Sequence, residues 1–408
     1  MRNGSTYDIV VVGLGAMGSA AAFHLARRGL RVLGLDRFTP PHGFGSSHGR
    51  TRIIREAYFE HPLYVPLVRR AYELWAELEE LSGRRILLRT GGLMIGPPDG
   101  ALVEGARRSA LEHGLAFREL SAAELVRRAS GFRPAEDMVA IEEPRAGVLF
   151  PETAIEAHLA LARGAGAELR VEEPVVEWSA AAGGVEVTTE QGRYTAARLV
   201  LAAGAWLPGL VAELGLPLTV NRQVQHWYRP DPPTHLFDPE RFPIFICEYA
   251  PDAMWYGFPD TGDGVKVAVH HQGEPARPDT LRRTVTDEEA EPVAALLRRF
   301  MPAALGPRIE SAVCMYTNTP DDHFIIDAHP EHPHVLLVSP CSGHGFKFSP
   351  VIGELVAELA TGAAPRFDLA PFAVGRFGAV VASPRSRARP RTERGEQPRG
   401  CEPTGEPL

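Results

Sequence analysis

Hydrophobic residues at the start of the chain follow a strand, helix, strand pattern. The segment TYDIVVVG at 6–13 is apolar almost throughout, as expected of a buried parallel strand. Helix-forming residues follow at 16–29 and end at Gly29, and LRVLGLD at 30–36 predicts a second strand. An amphipathic pattern over 62–81 predicts a long helix with one apolar face.

Further along, the pattern alternates between strands and helices. The stretch 185–206 predicts a hairpin followed by a buried strand, and 254–271 predicts two strands joined by a Gly/Asp turn. The apolar run at 334–340 predicts another buried strand. It leads into a predicted helix over 349–362, for which we expect Ser349 as the N-cap.

The hydrophobic pattern ends near residue 377. From there the chain is rich in Pro, Arg, Glu and Gly and has few residues to bury. We therefore predict that 377–408 is a disordered, solvated tail rather than a partner-binding segment.

Composition narrows the class of protein. A chain of 408 residues, 44% hydrophobic and 23% charged, is long enough for two globular domains. Its net charge of -8 does not favour nonspecific nucleic-acid binding. No apolar run is long enough to span a membrane, and the N-terminus lacks the features of a signal peptide. The 4 cysteines form no CxxC pair, which predicts a reduced, cytoplasmic protein without a disulfide framework or zinc site.

The segment GLGAMG lies between the first predicted strand and the first predicted helix. Gly13 permits the turn, Gly15 lets a pyrophosphate approach the backbone, and Gly18 allows close helix–strand packing. The helix N-terminus offers N–H donors, and Asp36 closes the second strand, where a carboxylate holds ribose hydroxyls. These features predict a dinucleotide site. The motif itself leaves FAD and NAD open, and the small-residue strand exit at 201–206 favours FAD.

Lysine is rare in this chain. Among 43 basic residues only Lys266 and Lys347 are lysines, and the arginine excess is most simply a composition effect. The two lysines lie in the apolar and glycine-rich segments GVKVAVHH and SGHGFKFS. These surroundings favour a functional role over that of a surface lysine whose stem covers apolar atoms.

Three longer segments add to the glycine motif: GSSHGRTRIIREAY at 45–58, CMYTNTPDDHFIID at 314–327 and SGHGFKF at 342–348. Together they resemble the monomeric sarcosine oxidase and N-methyltryptophan oxidase family of flavoprotein amine oxidases. The resemblance runs from about residue 6 to 376. It implies an α/β fold (α+β overall) like that of D-amino acid oxidase, with a Rossmann-type FAD-binding domain and a catalytic domain built on a mostly antiparallel sheet. The expected boundaries are 1–90, 148–215 and 310–376 for the FAD-binding domain, and 91–147 and 216–309 for the catalytic domain.

The resemblance also implies roles for single residues. Cys314 matches the family cysteine that forms a thioether with the flavin 8α-methyl carbon, whereas a lone cysteine is otherwise most simply a small buried hydrophobe. Lys266 matches the lysine that activates oxygen beside the flavin, where a compact charge stabilises developing superoxide. Lys347 and Arg55 match the pair that holds the substrate carboxylate from two sides.

The remaining site residues carry over from the same resemblance. With Lys266, the predicted catalytic residues are Arg52, His270, Tyr256 and Thr51. The predicted substrate-binding residues are Arg55, Lys347, Tyr316, His344 and Ile246. The predicted FAD-binding residues are Gly13, Gly15, Ala16, Met17, Gly18, Asp36, Arg37, Ser46, Thr51, Arg52, Val176, Ala203, Gly204, Trp206, Cys314, Met315, Gly343, Gly345, Phe346 and Lys347.

Two departures from the family pattern concern substrate size. The family segment RHAYGEG is REAYFEH here at 55–61, with Phe59 in place of glycine, and Ile246 stands where sarcosine oxidases tend to have methionine. The resemblance implies oxidation of a secondary α-amino acid by FAD and O2, with release of H2O2 and hydrolysis of the imine. We expect a monomer that binds a small amino acid and O2, without nucleic acid, membrane or metal.

Several alternatives remain open at this point. The substrate is an N-methyl amino acid, a cyclic amine such as pipecolate, or an amine of a secondary-metabolite pathway. Other classes of function are an NAD-dependent dehydrogenase, a hydrolase using Ser342 and His344, a metal site in HPEHPH at 329–334, and a flavin-binding protein without catalysis.

Overall fold

The computed structural model describes residues 7–181 and 183–378, so most of the predicted tail at 377–408 lies outside the described residues. The described helices are α1 (Ala16–Ala26), α2 (Tyr64–Ser82), α3 (Ala101–Glu112), α4 (Ala122–Arg128), α5 (Pro151–Gly164), α6 (Leu207–Leu210), α7 (Asp287–Phe300) and α8 (Ser349–Thr361). The described strands are β1 (Tyr7–Val12), β2 (Val32–Leu35), β3 (Arg52–Ile54), β4 (Leu87–Arg89), β5 (Gly92–Gly96), β6 (Arg118–Ser121), β7 (Val139–Glu143), β8 (Gly147–Leu149), β9 (Glu168–Arg170), β10 (Val175–Ala181), β11 (Gly184–Thr189), β12 (Arg193–Leu201), β13 (Thr219–Tyr228), β14 (Ile244–Ala250), β15 (Ala253–Gly257), β16 (Val265–His270), β17 (Arg308–Asn318), β18 (Ile325–His329) and β19 (His332–Ser339).

The first sheet is built on parallel strands in the order β9, β2, β1, β12 and β19. The hairpin of β10 and β11 extends it through β12, and β18 pairs antiparallel with β19. Helix α1 is almost entirely buried and packs against α5 and α8. Because helices cover the parallel strands, β1 and β2 are apolar almost throughout, as their sequences predict.

The second sheet has the order β17, β13, β16, β15, β14, β5, β7 and β6. All of its neighbouring strands are antiparallel except β14 and β5. Side chains alternate between the faces of a strand, so Lys266 and His270 lie on one face of β16, and Cys314 and Tyr316 on one face of β17. The predicted combination of a Rossmann-type sheet and a mostly antiparallel sheet is confirmed.

A third, short sheet positions the segment that carries two arginines. Strands β3 and β4 both pair antiparallel with β8. Strand β3 begins at Arg52 and ends one residue before Arg55. Arg52 therefore lies in a hydrogen-bonded strand, and Arg55 follows directly after that strand.

Two predicted details differ from the structure. Ser349 is the first residue of α8 and not its N-cap, because a 3-10 turn at Phe346–Phe348 runs directly into the helix. The predicted hairpin and buried strand at 185–206 are one unit, since the second hairpin strand, β12, continues to Leu201 as a buried strand. The other strands and helices predicted above are present at nearly the expected positions.

The domain boundaries stay a prediction. The expected boundary at residue 310 falls inside β17, which pairs with β13 of the second sheet along its length. In the described part of the chain, no helix is both long enough and apolar enough to cross a membrane.

Candidate active site

A cavity of about 380 Å³, here called the central cavity, is lined by residues of all three sheets. It brings together most of the site residues predicted from the sequence. These lining residues are Gly13, Gly15, Ala16, Met17, Asp36, Arg37, Ser46, Arg52, Arg55, Ala203, Gly204, Trp206, Ile246, Tyr256, His270, Cys314, Met315, Tyr316, Gly343, His344, Gly345, Phe346 and Lys347. Four predicted residues do not line the cavity: Gly18, Thr51, Val176 and Lys266.

One end of the cavity is formed by the turn between β1 and α1. Gly13 has a φ of 88°, and a Cβ on Gly18 would lie 1.7 Å from the Gly13 carbonyl oxygen, so both positions require glycine. A Cβ on Gly15 would meet only Ser47 Oγ, at 3.6 Å, which leaves space for a ligand. The N-cap residue of α1, Gly15, has no side chain to cap the helix, and the first turn holds no acidic residue. Ser47 Oγ accepts a hydrogen bond from the Ala16 N–H, at 3.4 Å. This end therefore suits a pyrophosphate, as the glycine motif predicts.

Asp36 lies beside this turn, at the end of β2. Its Oδ2 accepts a hydrogen bond from the Leu14 N–H at 2.7 Å, and its Oδ1 accepts one from the Phe38 N–H at 2.8 Å. Each carboxylate oxygen has a further lone pair, so the group remains able to accept hydrogen bonds from ribose hydroxyls. Asp36 thus has a structural role in the turn besides the predicted ligand role.

Arg37 and Trp206 form a polar and aromatic wall next to Asp36. The Arg37 guanidinium lies 4.9 Å from the Trp206 ring centroid, and both side chains donate hydrogen bonds to Asp279. The predicted contact of Val176 with FAD is not supported, because Val176 is 61% exposed and Val175 lines the cavity instead. A bulge in the pairing of β10 between Val175 and Glu177 shifts the alternation at this point.

Cys314 lies on β17 and its thiol faces the central cavity. The Arg52 Nη2 atom is 3.8 Å from the Cys314 sulfur, and the same nitrogen donates to the carbonyl oxygens of Ser46 and His48. A positive charge therefore faces the sulfur and is itself held in place by main-chain acceptors. Such an electropositive setting is typical of reactive cysteines.

Lys266 is buried behind the cavity rather than lining it. Its Nζ donates hydrogen bonds to the carbonyl oxygens of Gly49 and Thr51, at 2.7 and 2.8 Å, and to Thr51 Oγ1 at 3.1 Å. Burial, followed by the nearby charge of Arg52, lowers the pKa of Lys266 well below its ordinary value. Three acceptors match the three N–H groups of an ammonium, which opposes that loss of charge.

Arg55 is buried at the opposite end of the cavity from the glycine turn and forms a two-pronged ion pair with Glu60. Its Nη2 donates to both Glu60 oxygens, at 2.7 and 2.6 Å, and its Nη1 donates to the Ala57 carbonyl oxygen. Although burial alone raises it, the Arg55 charge holds the pKa of Glu60 below its ordinary value. The Arg55 Nε–H is buried and has no acceptor among the described residues.

Lys347 lies beside Arg55 and belongs to a chain of hydrogen bonds in which the donor and the acceptor of each bond can be assigned. Its Nζ donates to the His344 carbonyl oxygen at 2.7 Å and to Tyr58 Oη at 3.3 Å. His344 Nε2 faces the Asp322 carbonyl oxygen at 3.0 Å and must donate to it, so Nδ1 accepts from Tyr58 Oη at 2.6 Å. Burial lowers the pKa of His344 to about 3, which keeps the imidazole neutral. Burial and then the Arg55 charge lower the pKa of Lys347 to about 7.

The SGHG turn closes the cavity against the second sheet. A Cβ on Gly343 would lie 2.6 Å from the Tyr316 ring and 3.0 Å from the His270 ring, so no side chain fits there. His270 Nδ1 and Tyr316 Oη are 3.1 Å apart. Burial lowers the pKa of His270 and raises that of Tyr316, so both groups are neutral.

Sequence reasoning missed several lining residues, of which Glu60 is the most important. A carboxylate five residues after Arg55, inside the segment REAYFEH, is the signal that would have identified it. Phe59 also lines the cavity and lies 4.6 Å from the Arg55 guanidinium. Other lining residues lie outside any local motif, for example Gln225 and Phe258.

Two alternative sites are not supported by the geometry. Ser342 Oγ contacts Thr319, whereas His344 Nδ1 contacts Tyr58, so no Ser–His pair forms. In the HPEHPH segment His329 stacks on His332 and contacts Glu213. Within the described ranges, no group of three or more His, Cys, Asp and Glu side chains is arranged to hold a metal ion.

The fold and the cavity define a class of protein: a dinucleotide-binding fold with a second, mostly antiparallel sheet, whose cavity is lined by a glycine turn and by a pair of buried cations. The model of the FAD dependent oxidoreductase family matches residues 8–359. The chain belongs to this family, which decides the choice between FAD and NAD in favour of FAD.

Two named relatives and one solved structure are similar to this chain over most of its length. The chain is 48% identical to the monomeric sarcosine oxidase of Streptomyces avermitilis over 360 residues, which is 87% of this chain and 94% of that protein. It is 38% identical to the N-methyl-L-tryptophan oxidase of Salmonella heidelberg over 381 residues, which is 91% of this chain and 99% of that protein. The structure of the open form of NikD, an unusual amino acid oxidase essential for nikkomycin biosynthesis, matches with a TM-score of 0.80 and 27% identity, covering 90% of this chain and 97% of that one. The resemblance predicted from the sequence motifs is confirmed.

Proposed function

We propose that this chain is a flavin-dependent oxidase of a secondary α-amino acid, of the N-methyl or cyclic type, with O2 as the final electron acceptor. The observation that carries the proposal is the pair of buried cations, Arg55 and Lys347, in the cavity that Cys314 also lines. The relatives named for sarcosine and N-methyl-L-tryptophan support it, since both of these compounds are N-methyl α-amino acids.

The cations supply the site for the substrate carboxylate. Arg55 offers its unpaired Nε–H, and Lys347 uses its protein acceptors for two of three ammonium hydrogens. An incoming carboxylate either shares Arg55 with Glu60 or displaces Glu60 from Arg55. In the free protein Glu60 compensates the buried guanidinium, so the cation is not left without an anion when no substrate is bound.

The residues at the other end fit FAD. A bound FAD supplies the two-electron acceptor for the C–H bond next to the amine nitrogen and passes the electrons to O2 as H2O2. The glycine turn and the N-terminus of α1 would hold its pyrophosphate, and Asp36 its ribose. We propose that Cys314 attaches it covalently through a thioether. Replacing Cys314 with Ser is then expected to release all flavin on acid precipitation, while the parent protein retains its colour in the pellet.

The neutral groups at the substrate end orient the amine. His270 and Tyr316 contact each other, and Tyr256 lies edge-on to His270 at 6.0 Å between ring centroids. With these rings, Ile246 and Phe258 exclude water from the cavity wall. The amine is thus held among uncharged groups next to the carboxylate site.

Lys266 is proposed to favour the reaction with O2. Its ammonium is fixed by Gly49 and Thr51, and no carboxylate hydrogen-bonds to it among the described residues. A fixed positive charge stabilises an anion that develops nearby. Replacing Lys266 with Met is expected to slow reoxidation by about 100-fold or more while the anaerobic reduction rate stays nearly constant. Equal oxygen kinetics in the two proteins would refute this role.

Anaerobic bleaching of the flavin absorbance tests the proposed function. We expect rapid bleaching by sarcosine or by N-methyl-L-tryptophan, the first indicating a small substrate and the second a large one. Bleaching by pipecolate alone would place the substrate among the cyclic amines. A yellow protein that none of the three compounds reduces would contradict the proposal. The expected cytoplasmic location and monomeric state stay predictions.

A further inference from the structure

The segment 55–61, here called the Arg55 loop, is held by residues that lie outside the cavity. Glu143, at the end of β7, accepts hydrogen bonds from the Glu56 N–H at 2.7 and 2.9 Å and from the Ala57 N–H at 2.7 Å. Both of its oxygens are thus used on the two residues that follow Arg55. Glu143 itself is 1% exposed and has no arginine or lysine partner among the described ion pairs.

Helix α3 holds the next two residues of the same loop. Ser109 Oγ donates a hydrogen bond to the Tyr58 carbonyl oxygen at 2.5 Å. Gly105 lies one turn earlier on the same face of the helix, and a Cβ there would come within 2.3 Å of the Phe59 carbonyl oxygen. The face of α3 formed by Gly105 and Ser109 therefore receives the loop backbone directly.

These contacts determine where the Arg55 guanidinium lies. Its Nη1 donates to the Ala57 carbonyl oxygen, and the group is placed between the rings of Tyr58 and Phe59, at 4.3 and 4.6 Å from their centroids. All three neighbours belong to the loop that Glu143 and α3 hold. A shift of the loop backbone therefore moves Arg55 together with its surroundings.

We propose that Glu143 and Ser109 are positioning residues that fix Arg55 for binding of the substrate carboxylate. Neither residue lines the central cavity, so both would act through the backbone of the Arg55 loop. The inference rests on the proposed function of Arg55. A buried carboxylate without a cationic partner is unfavourable unless its hydrogen bonds are satisfied, and here the satisfying donors are the N–H groups of the loop.

Glu143 also gives the loop a dependence on pH. Burial raises the pKa of Glu143 to about 7. The charged or titratable groups that face it are Glu56 and Arg55 on the loop and Tyr72 on α2, and Glu56 is itself paired with Arg145. Protonation removes acceptor capacity from the carboxylate, so the loop is expected to loosen, and carboxylate ligands to bind more weakly, as the pH falls below this value.

The test compares Glu143→Gln with Glu142→Gln in the flavin-loaded protein. Glu142 is the neighbouring carboxylate on β7, but it pairs with Arg118 and Arg128 on the other side of the strand. The measurements are KM, kcat and the Kd of acetate, read from the flavin absorbance, with melting temperatures for both variants. In Glu143→Gln we expect KM and Kd to rise about tenfold with kcat within about threefold, because an amide offers one acceptor oxygen to two N–H groups. Glu142→Gln leaves KM and Kd nearly unchanged.

Two further measurements keep the proposal falsifiable if Glu143→Gln is unstable. Ser109→Ala is expected to raise the acetate Kd about threefold without loss of folding. As the pH falls from 7 to 6, Lys347 gains charge and strengthens acetate binding in both proteins. In the parent protein the loss of charge on Glu143 opposes this gain, so the acetate Kd is expected to fall less in the parent than in Glu143→Gln. Unchanged acetate affinity in Glu143→Gln and Ser109→Ala, at a normal or lowered melting temperature, would overturn the proposal. If Arg55→Met also binds acetate normally, the proposed function fails as well; if Arg55→Met alone loses binding, only this inference fails.

Discussion

The two ends of the central cavity are built from different chemical groups. At the dinucleotide end, main-chain groups of the Gly13 turn and of α1 predominate, with Asp36 as the single carboxylate of the motif. At the substrate end, side chains from separate segments converge, among them Arg55, Lys347 and His270. The first end depends on the path of the backbone, and the second depends on buried charges that compensate one another.

This difference predicts how each end responds to substitution. A main-chain site survives most side-chain changes as long as the turn keeps its glycines. A site made of buried charges loses much more when one member is removed, because its partner is left without compensation. Substitutions are therefore expected to have large effects at the substrate end and small effects at the dinucleotide end.

The largest effect is expected for Arg55→Met. Removing the guanidinium takes away the proposed donor to the substrate carboxylate and leaves Glu60 buried without its cation. We expect the KM for the amino acid substrate to rise by about 100-fold or more. Steady-state kinetics measure it, and Arg84→Met, which removes an exposed arginine paired with Glu156, is the control. A KM within a few-fold of the parent value would remove the basis for the comparison of the two ends.

An intermediate effect is expected from the titration of Lys347. The free protein has a pKa of about 7 at this group, lowered by burial and Arg55, so Lys347 is cationic below that pH and neutral above it. Acetate is an anion throughout this range, and its Kd is therefore expected to rise by up to about tenfold per pH unit above pH 7. Lys347→Met should show weak binding with no such rise. A parent protein whose acetate affinity is constant from pH 7 to 9 would rule out the assigned role.

The smallest effect is expected for Asp36→Asn at the dinucleotide end. The amide retains one acceptor oxygen for the two N–H groups of Leu14 and Phe38 and for the ribose. The FAD affinity is expected to fall about tenfold. Titration of FAD into apoprotein carrying Cys314→Ser measures it, since binding is then reversible. If the FAD affinity of Asp36→Asn fell by a larger factor than the acetate affinity of Arg55→Met, the dinucleotide end would be the more sensitive of the two ends, contrary to expectation.

The same difference explains how far the site could be predicted from the sequence. The glycine turn and Asp36 lie within 24 consecutive residues, so their spacing alone indicates a dinucleotide site. The alternation of β16 likewise places Lys266 and His270 on one face. Local patterns of this kind also predicted three helices and seven strands, namely α1, α2, α8, β1, β2, β11, β12, β15, β16 and β19. The other described strands and helices were not predicted individually.

The substrate end could not be predicted in the same way. The family resemblance assigned the substrate carboxylate to Arg55 and Lys347, which remains a prediction. The pairing of Arg55 with Glu60 and the position of Lys266 outside the cavity lining depend on side-chain conformations. Val176 was assigned to the cavity although a bulge in β10 places Val175 there, and such a bulge has no clear signal in the sequence. Contacts between distant segments, such as Glu143 with the Arg55 loop, also leave no local pattern.

The most direct test of the account is the anaerobic reduction of the flavin by a pair of amines that differ only in the carboxylate. Sarcosine and dimethylamine share the N-methyl secondary amine, and only sarcosine can bind Arg55 and Lys347 through a carboxylate. If N-methyl amino acids are substrates, sarcosine is expected to bleach the flavin at least about 100-fold faster than dimethylamine at equal concentration. Equal rates for the two amines would show that the buried cations do not select the substrate and would contradict the account.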